Sequence, residues 1–169
     1  MRRWLLGVGI ALAAIVSGIY LLGINLPEQH SAELSADIAG ARPEQVMDLI
    51  RDAAHYGRWR PGVTVTQVSR DASGLRFRES GPDGNLSYRQ TESGSVIINE
   101  ITGKDLPFGG KWTISVSPTP AGSHVRIRED GFVRPPLFRF MARFVFGYTR
   151  SMHKFLAQLA AAASGAPVG

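Results

Sequence analysis

The chain has 169 residues, no cysteine and a formal net charge of +5 at pH 7. Without a thiol it has no disulfide framework, no thiolate metal site and no cysteine nucleophile. The charge does not read as a nucleic-acid surface. Arg76, Arg78, Arg89, Arg126 and Arg128 alternate with apolar or acidic residues, the pattern of a solvated sheet face that can also meet anionic lipid headgroups.

Residues 4–24 form a run of 21 without a charge, directly after Arg2 and Arg3. About 20 helical residues span the ~30 Å hydrocarbon core of a bilayer. A cleaved signal has a shorter apolar stretch, about 7–15 residues, and a small-x-small site. Here the early A-x-A triplet, Ala11-Leu12-Ala13, is followed by 11 more apolar or small residues. The run therefore reads as a retained anchor, with an atypical cleaved signal as the alternative. Arg2 and Arg3 precede it, and Glu28, Glu33 and Asp37 come before Arg42. The positive-inside rule then puts the N-terminus in the cytoplasm and the rest outside it. Gly9, Ala13 and Ser17, with Ala14 and Gly18, recur at helix-packing spacing but read as ordinary span composition.

About 140 residues remain, enough for one domain with a core. The expected division is 1–26 anchor, 27–163 domain and 164–169 frayed tail. Residues 31–39 alternate around Leu34, Ala36 and Ile38 and predict a first strand. Pro43 opens a helix at its first turn, and Val46, Leu49, Ile50 and Ala53 carry the helical period. An aromatic, irregular stretch follows with Tyr56, Trp59 and Pro61. Five more strands, at 63–70, 75–80, 86–92, 96–102 and 111–117, are separated by turn signals at 71–74 and 81–84 and by a loop at 104–110. A turn at 118–122 leads to the last strand, 124–133. Pro135 and Pro136 then open a long helix to about residue 162, with Met141, Val145, Tyr148, Met152, Phe155 and Leu159 on one side. Strand, helix, meander and long helix predict an α+β fold: a seven-stranded curved antiparallel sheet gripping a C-terminal helix.

Four stretches carry a family likeness. They are residues 38–50 around Pro43-Glu44-Gln45-Val46, then Trp59-Arg60-Pro61-Gly62-Val63, then Pro107-Phe108-Gly109-Gly110-Lys111-Trp112-Thr113, and last Glu129-Asp130-Gly131 with residues 138–148. Over residues 30–160 the chain resembles the START, polyketide cyclase and Bet v 1-like (SRPBCC) superfamily. The last two stretches are similar to a bacterial membrane-anchored subgroup. The resemblance implies a helix-grip fold with an elongated apolar cavity between sheet and last helix. Members hold lipids, sterols, polyketides or other hydrophobic molecules there, and some catalyse cyclisation.

Strand alternation nominates the side chains that face such a cavity. The inward sets read as Leu75, Phe77 and Glu79; Leu86, Tyr88 and Gln90; Val96, Ile98 and Glu100; Trp112, Ile114 and Val116; Val125, Ile127 and Glu129. Candidate cavity residues are Phe77, Tyr88, Ile98, Trp112, Ile114 and Ile127 from the sheet, and Met141, Phe144, Tyr148 and Met152 from the helix, with Phe132 a further aromatic. Glu79, Glu100 and Glu129 share the apolar phase. A carboxylate there would have a raised pKa and could serve as general acid or base. Alternatively each reaches solvent or pairs with an arginine such as Arg89 or Arg143. The histidines look uninformative: His30 follows the anchor, His55 ends a helix, His124 is out of phase and His153 sits beside Lys154. No H-x3-H or G-x-S-x-G pattern occurs, and Gly109-Gly110 reads as a tight loop. The expectation is a membrane-tethered domain binding a hydrophobic or lipid-like molecule, with no cofactor, metal or nucleic acid. A carboxylate-dependent cyclase or dehydratase, or a protein-interaction domain, is the alternative. The short connector at 25–31 would hold the cavity near the bilayer.

Overall fold

The structure is a computed structural model that describes residues 2–82, 84–103 and 105–165. The expected turn at 81–84, loop at 104–110 and tail at 164–169 each reach partly outside these residues. Helix α1 (Arg2–Asn25) is continuous, and Gly7–Asn25 has a mean hydropathy of 2.2. By length and composition it can cross a membrane.

Seven strands follow: β1 (Gln29–Ala39), β2 (Thr64–Asp71), β3 (Gly74–Gly81), β4 (Gly84–Ser93), β5 (Val96–Thr102), β6 (Phe108–Thr119) and β7 (Gly122–Val133). They form one curved antiparallel sheet in the order β1-β7-β6-β5-β4-β3-β2. Six strands are a simple meander, and β1 returns to pair with the last of them. Edge strand β2 carries a bulge between Thr66 and Ser69, with Gln67 at φ 54°. Such a kink blunts an edge against further pairing.

Between β1 and β2 lie α2 (Pro43–Arg51) and a 3-10 turn, Ala53–Arg58. Pro43 occupies the first turn, and the Gln45 side chain accepts the Arg42 backbone N–H at 2.9 Å. This satisfies one of the donors a helix start leaves unpaired. Val46, Met47 and Ile50 face the sheet and are buried. With α4 (Arg150–Ala163) they close one end of the concave face, where Ile38, Ile97, Ile114, Val125, Ile127, Met152 and Leu159 are almost fully buried.

Two expectations need correction. The final helix is not continuous from Pro136. It divides into α3 (Pro136–Met141), a π-helical turn at Ala142–Phe146 and α4, broken at Gly147 with φ 74° and ψ 151°. Only glycine adopts that conformation without strain. The helical period runs through the break, so Met141 and Val145 do not continue the buried stripe of α4. The first segment instead packs on α1. A Cβ on Gly23 would lie 2.0 Å from the Pro136 carbonyl oxygen, so glycine is what permits the approach. Arg139 donates to the Leu26 carbonyl at 2.9 Å and to Glu28 at 2.9 Å, beside the last carbonyls of α1. A guanidinium there both satisfies free acceptors and complements the helix dipole.

The second correction is the phase of β5. Ile97, Asn99 and Ile101 face inward, while Val96, Ile98 and Glu100 face outward. Ser93 pairs with Val96 across a two-residue turn, so Gln90 pairs with Asn99, and Gln90 is buried. Paired residues share a face. Apolar side chains fall in both phases of this strand, so hydrophobicity alone does not choose between them.

Gly147→Ala is expected to destabilise the detergent-solubilised chain by about 1–3 kcal/mol. Chemical denaturation checks this, and an unchanged midpoint would show that the break tolerates a side chain.

Candidate functional site

The sheet and the C-terminal segment enclose a cavity of about 320 Å³ at the end opposite the packed core. That sits at the lower end of the ~300–1,000 Å³ typical of ligand pockets. Its walls are largely apolar: Phe77, Leu86, Tyr88, Ile101, Trp112 and Phe155 contribute, with Phe108 and Phe132 from β6 and β7. The Phe77 and Tyr88 rings stack at 5.3 Å, as neighbours across β3 and β4 should, and Trp112 meets Phe155 edge-on at 5.6 Å.

Two polar groups interrupt this surface. The first centres on Arg60, at the foot of the 3-10 turn. It holds Glu79 through two bonds of 2.6 and 2.9 Å, with both side chains 13% exposed. Its guanidinium carbon also lies 5.1 Å from the Tyr56 ring centre and 5.4 Å from that of Phe155. Behind it Tyr56 is fully buried and donates to the Ile50 carbonyl at 2.8 Å. Burial pushes its hydroxyl up to about 12, with the Arg60 charge working the other way. Tyr56 therefore stays protonated at neutral pH and acts as a donor. Gln90 donates to the same carbonyl at 3.0 Å. Asn99, 8% exposed, lines the cavity, and its buried Oδ1 has no partner among the described residues.

The second polar group is His30 with Glu129. His30 Nε2 and Glu129 Oε1 are 2.9 Å apart, and Trp112 Nε1 donates to the other carboxylate oxygen at 2.5 Å. The imidazole stacks on Tyr148, with centres 4.0 Å apart and planes 13° from parallel. His30 lies opposite Gly131 on β7, and a Cβ at that glycine would come within 2.8 Å of the imidazole. Among the described residues, no three His, Asp or Glu side chains gather closely enough to hold a metal ion.

Of the candidates from sequence, Phe77, Tyr88, Trp112 and Tyr148 line the cavity, as do Phe132, Glu79 and Glu129. Ile114, Ile127 and Met152 are inward but belong to the packed core. Ile98 and Glu100 are on the outer face through the phase of β5, and Glu100 takes a bond from Arg89 at 2.5 Å there. Met141 lies on α3 outside the cavity, and Phe144 is 61% exposed because the chain breaks after it. Glu79 pairs with Arg60 rather than with Arg89 or Arg143, and Glu129 with no arginine among the described residues. His30, Arg60 and Asn99 escaped the sequence reading. For His30 the signal was its phase, since it alternates inward with Ala32, Leu34, Ala36 and Ile38.

Residues 29–164 match the family model described as polyketide cyclase / dehydrase and lipid transport. The chain belongs to this family. The family domain thus begins at the first residue of β1, and α1 lies outside the match. No curated protein matches the chain. Solved structures support the fold of the polyketide cyclase and lipid transport family. The Zhui aromatase/cyclase from Streptomyces sp. R1128 superposes with a TM-score of 0.69 at 14% identity, over 80% of this chain and 94% of that one. A START superfamily protein from Mycobacterium smegmatis gives 0.61 at 14%, over 82% and 99%. Norcoclaurine synthase from Thalictrum flavum, in complex with dopamine and hydroxybenzaldehyde, gives 0.64 at 12%, over 88% and 94%.

The Arg60–Glu79 pair should behave as a buried charge pair. Removing one partner strands the other, at a cost of about 3–5 kcal/mol. Arg60→Met and Glu79→Leu are each expected to destabilise strongly, and the double variant by less than their sum. Denaturation midpoints of the three variants measure the coupling.

Proposed function

We propose that this chain is a membrane-tethered domain, residues 27–163, that holds one apolar, lipid-like small molecule. The observation that carries the reading is the apolar cavity of about 320 Å³ between sheet and α4, with polar groups at defined places in its wall. Apolar walls supply affinity in proportion to the area they bury, and sparse polar groups set orientation. The volume suits a single ring system or one short chain rather than a two-chain lipid. The unpartnered Oδ1 of Asn99 would accept from a ligand hydroxyl, and Arg60, already neutralised by Glu79, would not demand an anion. The family description includes lipid transport. Helix α1 acts as the tether. Arg2 and Arg3 before it favour a cytoplasmic N-terminus and an extracytoplasmic domain.

The protein extracted in mild detergent should carry a stoichiometric apolar molecule in native mass spectrometry. Leu86→Trp, which fills the cavity, should lose it. Wild-type protein without any such molecule, after reconstitution in its native lipids, would sink the reading.

A second reading rests on His30 and Glu129. Donation of Nε2–H to the carboxylate leaves the lone pair on Nδ1, which no described residue bonds. A base so placed can take a proton from a carbon beside a ligand carbonyl. The imidazolium, balanced by Glu129, then returns it to a departing hydroxyl and releases water. Acid–base catalysis of this kind contributes about 10²–10⁴-fold. The Glu129→Gln variant should then carry a molecule heavier by one water than the wild type does. Identical masses would reject catalysis and leave binding intact.

A further inference from the structure

The stretch that breaks away from α4 exposes large apolar side chains. Leu137, Phe138, Phe144, Val145 and Phe146 are 47, 55, 61, 56 and 52% exposed, all within ten residues. Contiguous apolar surface of this kind marks an interaction site. Its position identifies the partner. The stretch packs on the last turn of α1 through Pro136 and Gly23, so it continues the apolar surface formed by Tyr20, Leu21, Leu22 and Ile24, each about half exposed. Its charge agrees: Arg143 lies within it and Arg134 and Arg150 flank it, and no Asp or Glu occurs after Asp130. A protein partner would have to cover both this patch and the end of a helix that can span a bilayer. A lipid surface covers both at once.

We propose that residues 137–146 form a second bilayer contact, seated in the headgroup–acyl boundary of an anionic membrane next to the exit of α1. The contact also positions the cavity. Ala142, Gly147 and Tyr148, from this stretch or directly after it, line the cavity together with Phe108, itself 40% exposed. With the patch in lipid, the cavity mouth faces the bilayer, and an apolar ligand passes between them without crossing water. Amphipathic elements bind such interfaces through buried apolar area plus attraction of basic residues to anionic lipid, about 1 kcal/mol for each Lys or Arg near the surface. The inference rests on the tether reading of α1.

The chain has no cysteine, so single cysteines can be introduced and labelled without background. Full-length Phe144→Cys, Leu12→Cys and Arg76→Cys are labelled with an environment-sensitive fluorophore. Each is reconstituted in vesicles of phosphatidylcholine and phosphatidylglycerol containing doxyl lipids. All three positions are solvent-facing outside the packed core, so folding is preserved. The label at 144 should be blue-shifted and quenched by shallow doxyl groups, several-fold more than the label at 76 on the outer sheet face. The label at 12 should be quenched by deep ones. Quenching at 12 with none at 144 overturns the second contact and leaves the tether standing. No quenching at 12 removes the tether, and this inference with it. Pyrene excimers at 144 that persist on lipid dilution, without doxyl quenching, would assign the patch to a second copy and overturn the proposal.

Discussion

The register of β1 against β7 is the constraint on which the rest of the molecule depends. Gln29 faces Phe132 at one end and Ala39 faces Gly122 at the other, without a shift between. The side-chain period of a strand is two, so a slip by one residue would turn His30, Ala32, Leu34, Ala36 and Ile38 to solvent together. The imidazole would leave Glu129, and the core would lose one wall. Several features hold the register. Ile38 is buried at one end. At the other, Gly131 leaves room for the His30 ring, which a Cβ there would meet at 2.8 Å. Beyond it Val133 N–H donates to the Glu28 carbonyl at 2.8 Å. That last bond lies two residues from the end of the α1 exit clamped by Arg139. The wall of the cavity and the departure of the N-terminal helix are thus fixed by one pairing.

Packing is divided along the sheet. At the α2 end, Val46, Ile50, Ile114, Val125 and Leu159 are fully buried and apolar. At the other end the same inward phase presents Glu79, Tyr88, Asn99 and Glu129, and the space between them stays hollow. Burying polar groups costs free energy unless they are paired. Arg60–Glu79 and His30–Glu129–Trp112 are paired, and only the Arg60 Nε and Asn99 Oδ1 atoms remain buried without a partner among the described residues. The filled end stabilises the fold, which leaves the other end free to hold a cavity and its polar groups.

How much of this was legible in sequence follows from where the two faces differ in polarity. Strands β3, β6 and β7 alternate arginine, lysine or serine with apolar residues, and their inward phases were readable. β5 carries isoleucine in both phases, so its register had to come from the two-residue turn and from Gln90 opposite Asn99. The break at Gly147 was hidden because Met141 and Val145 keep the helical period, although α3 packs on α1 and Phe144 and Phe146 stay exposed. His30 meets Glu129 across 99 residues of sequence, and no local spacing announces such a pair. Arg60 sits in a tryptophan-proline step with no local sign of its role, since its partner Glu79 lies 19 residues on, in β3.

The charge distribution joins these observations. Fourteen lysines and arginines precede Gly131 and are matched by the fourteen acids of the chain; the five that follow account for the whole net charge of +5. On the outer sheet face four arginines are paired locally, Arg126 with Glu33, Arg128 with Asp130, Arg89 with Glu100 and Arg76 with Asp71. These carboxylates and guanidiniums stabilise each other's charged forms: Glu33 and Asp130 are held below the usual carboxylate range by their arginines. Exposed pairs of this kind add little to stability, but they offset much of the basic charge of the sheet face. The segment after Gly131 has no acid of its own, although its Arg139 is paired with Glu28; it carries the exposed phenylalanines and borders the cavity mouth. Under the proposed bilayer contact, this basic segment is what would draw that side of the domain toward an anionic surface.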